Sequence, residues 1–115
     1  MRASRKLPLR PEVVTVLGKP ITFRYVPPGD ELLKVNAEDL SPGVACSFPD
    51  RQLIALEEGQ PLEQEQDAVI HELLHIIEDY MDINASEKTV QKFATGWLAV
   101  IKANPKLVRY LMRKS

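Results

Sequence analysis

The stretch AVIHELLHIIEDYMDINASEKTV, residues 68 to 90, contains both histidines of the chain, His71 and His75, with Glu72 directly after the first. Apolar residues around them recur at helical spacing, which predicts a helix. Residues four apart on a helix share a face, with Cβ atoms about 5–6 Å apart. The two imidazoles can therefore reach a single metal ion.

Helical patterns continue on both sides of this stretch. The first helix is predicted from about Leu62 to Met81, after Pro61. The segment DINAS then breaks the pattern, and its asparagine and serine are both suitable N-caps for a second helix that ends near Ala103. Asn104 and Pro105 end that helix and favour the start of a third.

The first half of the chain has the composition of strands. Two β-branched or aromatic segments, 13–18 and 21–26, flank a predicted turn at Gly18-Lys19-Pro20, and 44–48 and 52–57 predict a second hairpin. A short helix is expected near 30–35. Strands followed by helices predict an α+β fold, with a small antiparallel sheet packed against the helical half that carries the HExxH helix. We expect a flexible basic arm over 1–12 and a single domain over 13–115.

Composition narrows the classes of function. The 115 residues fit one domain, and the net charge of −1 gives no indication of a nucleic-acid or membrane partner. Cys46 is the only cysteine, which excludes a disulfide within the chain and fits a reducing compartment. With no signal peptide or membrane span apparent, the sequence predicts a cytoplasmic protein. Cys46 itself is expected to be a small buried residue.

The chemistry of HELLH favours zinc. Zinc accepts histidine nitrogen, and a catalytic site typically combines three protein ligands with one water whose pKa falls to about 7. Glu72 follows the first histidine and can take the proton of that water as general base, then deliver it to a leaving amine. This is the metallopeptidase interpretation of the H-E-x-x-H pattern.

A third ligand must come from a carboxylate, because no histidine remains and Cys46 lies on a distant predicted strand. A straight helix has difficulty presenting residue 78 to the ion that His71 and His75 hold. If the second helix returns antiparallel, its first turn faces the region of His75. Geometry therefore favours Glu87 over Glu78 or Asp79 as the third ligand but does not exclude those two.

His71-Glu72-Leu73-Leu74-His75, followed by Glu87 on a second helix, resembles the gluzincins, the zincin metallopeptidases whose third ligand is glutamate. The compact arrangement is similar to ImmA/IrrE-type peptidases and short phage-encoded relatives. The resemblance implies zinc ligands His71, His75 and Glu87, a base at Glu72, and the strand QLIALE as an edge that pairs with an extended substrate. Gln91 stands where many gluzincins place an aspartate that supports a histidine ligand.

Together these features predict a zinc-dependent metallopeptidase that hydrolyses peptide bonds in a protein or peptide by Glu-assisted attack of a zinc-bound water. The alternative is a catalytically inactive, zinc-stabilised interaction module. Oxyanion donors stay open among Tyr25, Tyr80, Arg109 and Tyr110. Phe93 and Trp97 lie at helical spacing and are expected in the core.

Overall fold

The computed structural model describes residues 10–33 and 44–114. Four strands precede three α-helices, which confirms the predicted α+β class. The strands are β1 (Val13–Val16), β2 (Lys19–Val26), β3 (Ala45–Phe48) and β4 (Leu53–Glu57). The helices are α1 (Leu62–Met81), α2 (Glu87–Ala103) and α3 (Pro105–Leu111), and two short 3-10 turns lie at Glu31–Leu33 and Pro49–Arg51.

The sheet has the order β1-β2-β4-β3 and is mixed. Both predicted hairpins, β1–β2 and β3–β4, are antiparallel. The central pair is parallel, from Thr22 opposite Leu53 to Val26 opposite Glu57, a pairing that the expected antiparallel sheet did not include. This pairing arises because the chain crosses the sheet between the two hairpins. β4 therefore lies beside β2, and β3 forms the far edge.

The first hairpin turns one residue earlier than the sequence predicts. Leu17 and Gly18 both have positive φ, 48° and 84°, as a two-residue type I′ turn requires. Lys19 and Pro20 therefore belong to β2, where they pair with Val16 and Thr15. Glycine suits the second turn position because a left-handed φ places no Cβ in conflict with the backbone.

The main core lies between one face of the sheet and α1. Ile21, Ile54, Leu56 and Ile76 are completely buried there. The opposite face of the sheet has a smaller apolar cluster in which Val26 and Ala55 pack against Leu33 of the 3-10 turn. β4 contributes to both clusters and is covered on both sides, whereas Thr22 and Arg24 of β2 are exposed. The position of α1 is fixed by its packing against the first face.

The two long helices form an antiparallel hairpin. Asp82, with a left-handed φ of 55°, ends α1, and Ser86 caps α2 by accepting a hydrogen bond from the Thr89 N–H at 3.1 Å. Farther along the pair, the Thr95 hydroxyl donates to Asp67 at 2.9 Å. The first turn of α2 is thereby placed beside the C-terminal half of α1.

One expectation about the core was wrong. Phe93 and Trp97 are 58% and 50% exposed, whereas Val90 and Ala94 form the buried side of α2. Helical spacing identifies an apolar stripe but does not decide which of two stripes faces the neighbouring helix.

The last part of the predicted basic arm contacts the domain. Arg10 pairs with the buried Glu65 at 3.3 Å, and the Tyr25 hydroxyl donates to the Pro11 carbonyl at 2.7 Å. The rest of the arm, 1–9, and the end of the short helix expected at 30–35 lie outside the described residues. Among the helices of 10–33 and 44–114, none has the length and apolar character needed to cross a bilayer.

Candidate metal centre

Three side chains from α1 and α2 converge on one point. The Nε2 atoms of His71 and His75 are 3.1 Å apart. Glu87 Oε1 lies 2.5 Å from His71 Nε2 and 3.1 Å from His75 Nε2. The antiparallel return of α2 thus brings together the three residues that the sequence analysis selected, and they form a group that can hold a metal ion.

The donor atoms are of the kinds that bind divalent metal ions, and they lie close enough together to share one ion. Zinc bonds to histidine nitrogen and carboxylate oxygen at about 2.0–2.2 Å, which places neighbouring ligand atoms of a tetrahedral site about 3.3 Å apart. Two of the three donor separations, 3.1 Å each, are close to this value, and the third, between His71 Nε2 and Glu87 Oε1, is shorter. The two histidine side chains are mostly covered, while that of Glu87 is 59% exposed, so the site opens to solvent on the side of α2.

Glu78 does not join the three donors. Its Oε1 lies 2.8 Å from His75 Nδ1, on the opposite side of the ring from Nε2, and its Oε2 accepts the Ala85 N–H at 2.9 Å. Asp79, the other alternative, is exposed at its position on α1. Of the carboxylates considered from sequence, only Glu87 faces both Nε2 atoms.

The protonation of His75 depends on these carboxylates. Burial lowers the pKa of His75, but hydrogen bonds to Glu87 and Glu78 and the nearby charge of Glu72 outweigh it, so that the pKa is raised. Both ring nitrogens face carboxylate oxygens, which accept hydrogen bonds and cannot donate them. Either a second proton or a cation on Nε2 satisfies this arrangement.

Glu72 is buried between α1 and the edge strand β3. It is only 7% exposed, and Ser47 of β3 is among its polar neighbours. Burial raises the pKa of Glu72; the neighbouring His71 and His75 and the Ser47 hydroxyl lower it, but by less. Ser47 was not selected from sequence, because nothing in a short strand indicates which hydroxyl lies against a helix twenty-five residues later.

The strand with a free edge beside this site is β3, not β4 as the resemblance implied. β4 lies between β2 and β3, whereas no other strand among residues 10–33 and 44–114 pairs with the far side of β3. The Glu57 backbone N–H donates to the Val44 carbonyl at 2.8 Å. Because bonded pairs alternate in an antiparallel ladder, Ala45 and Ser47 point their backbone N–H and C=O groups away from β4.

Three of the remaining candidates, Cys46, Tyr25 and Tyr80, are buried or have backbone contacts. Burial, and then the charge of Glu72, raises the pKa of Cys46 to about 11, in agreement with a buried thiol. The hydroxyls of Tyr25 and Tyr80 donate to backbone carbonyls at Pro11 and Pro49. Tyr110 is 65% exposed on the short helix α3.

The sequence is less informative about the role of Glu78, which was considered only as an alternative third ligand. The i, i+3 spacing from His75 was the available signal, since such pairs meet on a helix surface.

In comparisons with known proteins, no family model matches this chain, no curated protein matches it, and no solved structure matches it. The gluzincin likeness therefore rests on the motif and on the convergence of His71, His75 and Glu87.

Proposed function

We propose that the protein is a zinc-dependent metallopeptidase that hydrolyses peptide bonds in a protein or peptide substrate. The observation that carries this proposal is the meeting of His71 Nε2, His75 Nε2 and Glu87 Oε1 at one solvent-open point, with Glu72 on the intervening turn. His71, His75 and Glu87 would hold the ion. Three protein ligands are the typical set of a catalytic zinc site, in which one position is left for water or substrate.

A zinc ion held there would polarise a substrate carbonyl and acidify a water molecule. Glu72 serves as the general base and then returns the proton to the amine that leaves. Its burial supports this role, because a raised pKa brings a carboxyl group closer to the working pH. Ser47 on β3 favours the ionised form of Glu72, the form that accepts a proton.

The edge of β3 supports a peptide as substrate. Ala45 and Ser47 direct backbone groups outward beside the Glu72 side of α1, and an extended peptide can bind such an edge as an added strand. The resemblance implied that a substrate adds as a strand to β4; here the same mode of binding is proposed for β3. We place the protein in the cytoplasm and assign it no nucleic-acid or membrane partner.

The burial of Glu72 also favours one alternative function. A carboxyl group that is 7% exposed and lies beside Ser47 can serve as a structural link between α1 and β3. In that case zinc at the same three ligands would stabilise an interaction module without catalysis.

Glu72→Gln separates the two functions. The zinc-loaded wild type is incubated with a library of unstructured peptides, and cleavage is followed by mass spectrometry. For the peptidase, Glu72→Gln retains one zinc per chain but loses about 10²–10⁴-fold in rate, the usual contribution of a general base. Glu63→Gln, the same change at an exposed position of α1, is the control and leaves the rate unchanged. Equal cleavage by wild type and Glu72→Gln would eliminate the peptidase mechanism.

A further inference from the structure

Glu78 has two well-placed partners and is itself largely covered, with 16% of its side chain exposed. One oxygen lies 2.8 Å from His75 Nδ1, and the other accepts the Ala85 N–H at 2.9 Å. Its backbone carbonyl accepts a further hydrogen bond from the Ile83 N–H at 2.8 Å. Glu78 thus connects the histidine to the turn between α1 and α2.

The contact with Nδ1 selects one form of the imidazole. An ionised carboxylate only accepts hydrogen bonds, and Glu78 contacts Nδ1 at 2.8 Å, whereas Glu87 contacts Nε2 at the longer distance of 3.1 Å and is shared with His71. The closer contact therefore favours the tautomer of neutral His75 that has its proton on Nδ1. The lone pair is then on Nε2, the nitrogen that faces His71 and Glu87. Metal-binding histidines commonly donate their second ring N–H to a carboxylate in this way.

The contact with Ala85 acts on the third donor. Ala85 is two residues before Glu87, and Ser86 between them caps α2. Holding the Ala85 N–H therefore restrains the backbone at the entry to the helix whose first residue is Glu87. A single carboxylate orients one histidine and anchors the turn that delivers the glutamate.

We propose that Glu78 is a positioning residue of the metal centre, which fixes His75 with its lone pair on Nε2 and holds the α1–α2 turn in place for Glu87. This inference rests on the proposed zinc site and goes beyond it by assigning a role to a residue outside the ligand set. In this role Glu78 would support a histidine ligand in place of Gln91, which stands on α2 where many gluzincins have a supporting aspartate.

The informative variant is Glu78→Gln, which keeps the size of the side chain. An amide can serve both partners only if its oxygen accepts from Ala85 and its NH₂ group donates to His75 Nδ1. That arrangement moves the histidine proton to Nε2. Glu78→Ala removes both contacts, and Asp79→Asn makes the same charge change at the adjacent exposed residue.

Two measurements test the proposal. Zinc affinity is measured by competition with a chromophoric chelator, and the tautomer of His75 is read from its ¹⁵N ring shifts in the metal-free protein above the pH at which the ring titrates. We expect a 10–100-fold loss of zinc affinity in Glu78→Gln and Glu78→Ala, with Asp79→Asn unchanged. The wild type should show Nδ1–H, and Glu78→Gln should show Nε2–H.

The outcomes distinguish this inference from the proposed function. If the wild type binds no zinc, the metal site fails and the role of Glu78 fails with it. If the wild type binds zinc and folded Glu78→Gln binds it equally, with the proton still on Nδ1, only the role of Glu78 is overturned. Should Glu78→Ala not fold, Glu78→Gln alone decides.

Discussion

Glu72 is a buried acid, and its titration can be followed separately from catalysis. Burial raises its pKa above the ordinary value of 4.5. For a group whose pKa is raised on folding, the associated stability is complete below the unfolded pKa and is lost as the pH rises through the folded value. Glu72 therefore contributes less to the stability of the metal-free protein at neutral pH than at pH 4.

We expect Glu72→Gln to remove this dependence. Thermal unfolding of metal-free wild type and variant from pH 4 to 8 should show equal or lower stability for the variant at the acid end. As the pH rises, the melting temperature of the wild type should fall relative to that of the variant. A constant difference between the two proteins across this range would show that Glu72 does not titrate as a buried group.

Among the individual residues, the sequence predicted the histidine pair better than the side chains that contact it. The helical period alone places His71 and His75 on one face, and the DINAS break predicts the return that brings Glu87 to them. The sequence did not determine the role of Glu78. An i+3 spacing puts the carboxylate near His75, but which ring nitrogen it meets depends on the rotamers of both side chains.

Among the elements, β3 is the strand whose role changed most. Local sequence identifies short strands, whereas their order in a sheet depends on contacts between distant segments, such as β2 with β4. The hairpins were predictable because each has a turn signal between its strands. The parallel central pair was not, since no local pattern records it.

The edge of β3 can be tested with two proline variants. Ala45→Pro removes an N–H that points away from β4, and Cys46→Pro removes one in a bonded pair with Ala55. We expect the first to keep most of the stability but lose peptide cleavage. The second should destabilise the fold by about 1–3 kcal/mol, because the buried Ala55 carbonyl loses its donor. Urea unfolding and the peptide-cleavage assay measure the two effects. Full cleavage by folded Ala45→Pro would exclude strand addition at this position.

The apolar stripes of the helices also differ in their energetic roles. Ile76 on α1 is fully buried, so Ile76→Ala should cost about 2–5 kcal/mol of unfolding free energy. Trp97 on α2 is half exposed, and Trp97→Ala should cost about 1 kcal/mol or less. Equilibrium unfolding in urea compares the two. A larger loss from Trp97→Ala would place that face of α2 in the core after all.

For the whole molecule, the metal centre links two helices that otherwise meet through a few polar contacts and the small buried residues of α2. A ligand that binds only the folded state stabilises it by about 2.7 kcal/mol at a concentration of 100 Kd. For a domain of this size that corresponds to a rise on the order of 10 °C in melting temperature.

We expect this effect of zinc at pH 7.5 and its loss near pH 5. The pKa of His75 is raised by the hydrogen bonds to Glu87 and Glu78, which outweigh burial, so protons compete with the metal as the pH falls. Differential scanning calorimetry with and without zinc measures both. His71→Ala, which lacks one donor, should show little increase at either pH. An equal zinc-induced rise in His71→Ala would mean that the ion binds elsewhere.

The most direct measurement is a crystal structure of the zinc-loaded protein, with the ion located by anomalous scattering at the zinc edge. We predict one ion per chain, bonded at about 2.0–2.2 Å to Nε2 of His71, Nε2 of His75 and a carboxylate oxygen of Glu87. Glu78 should remain on His75 Nδ1, outside the coordination sphere. Zinc bound to Glu78 or Asp79 in place of Glu87, or no ion between the two imidazoles, would contradict this prediction.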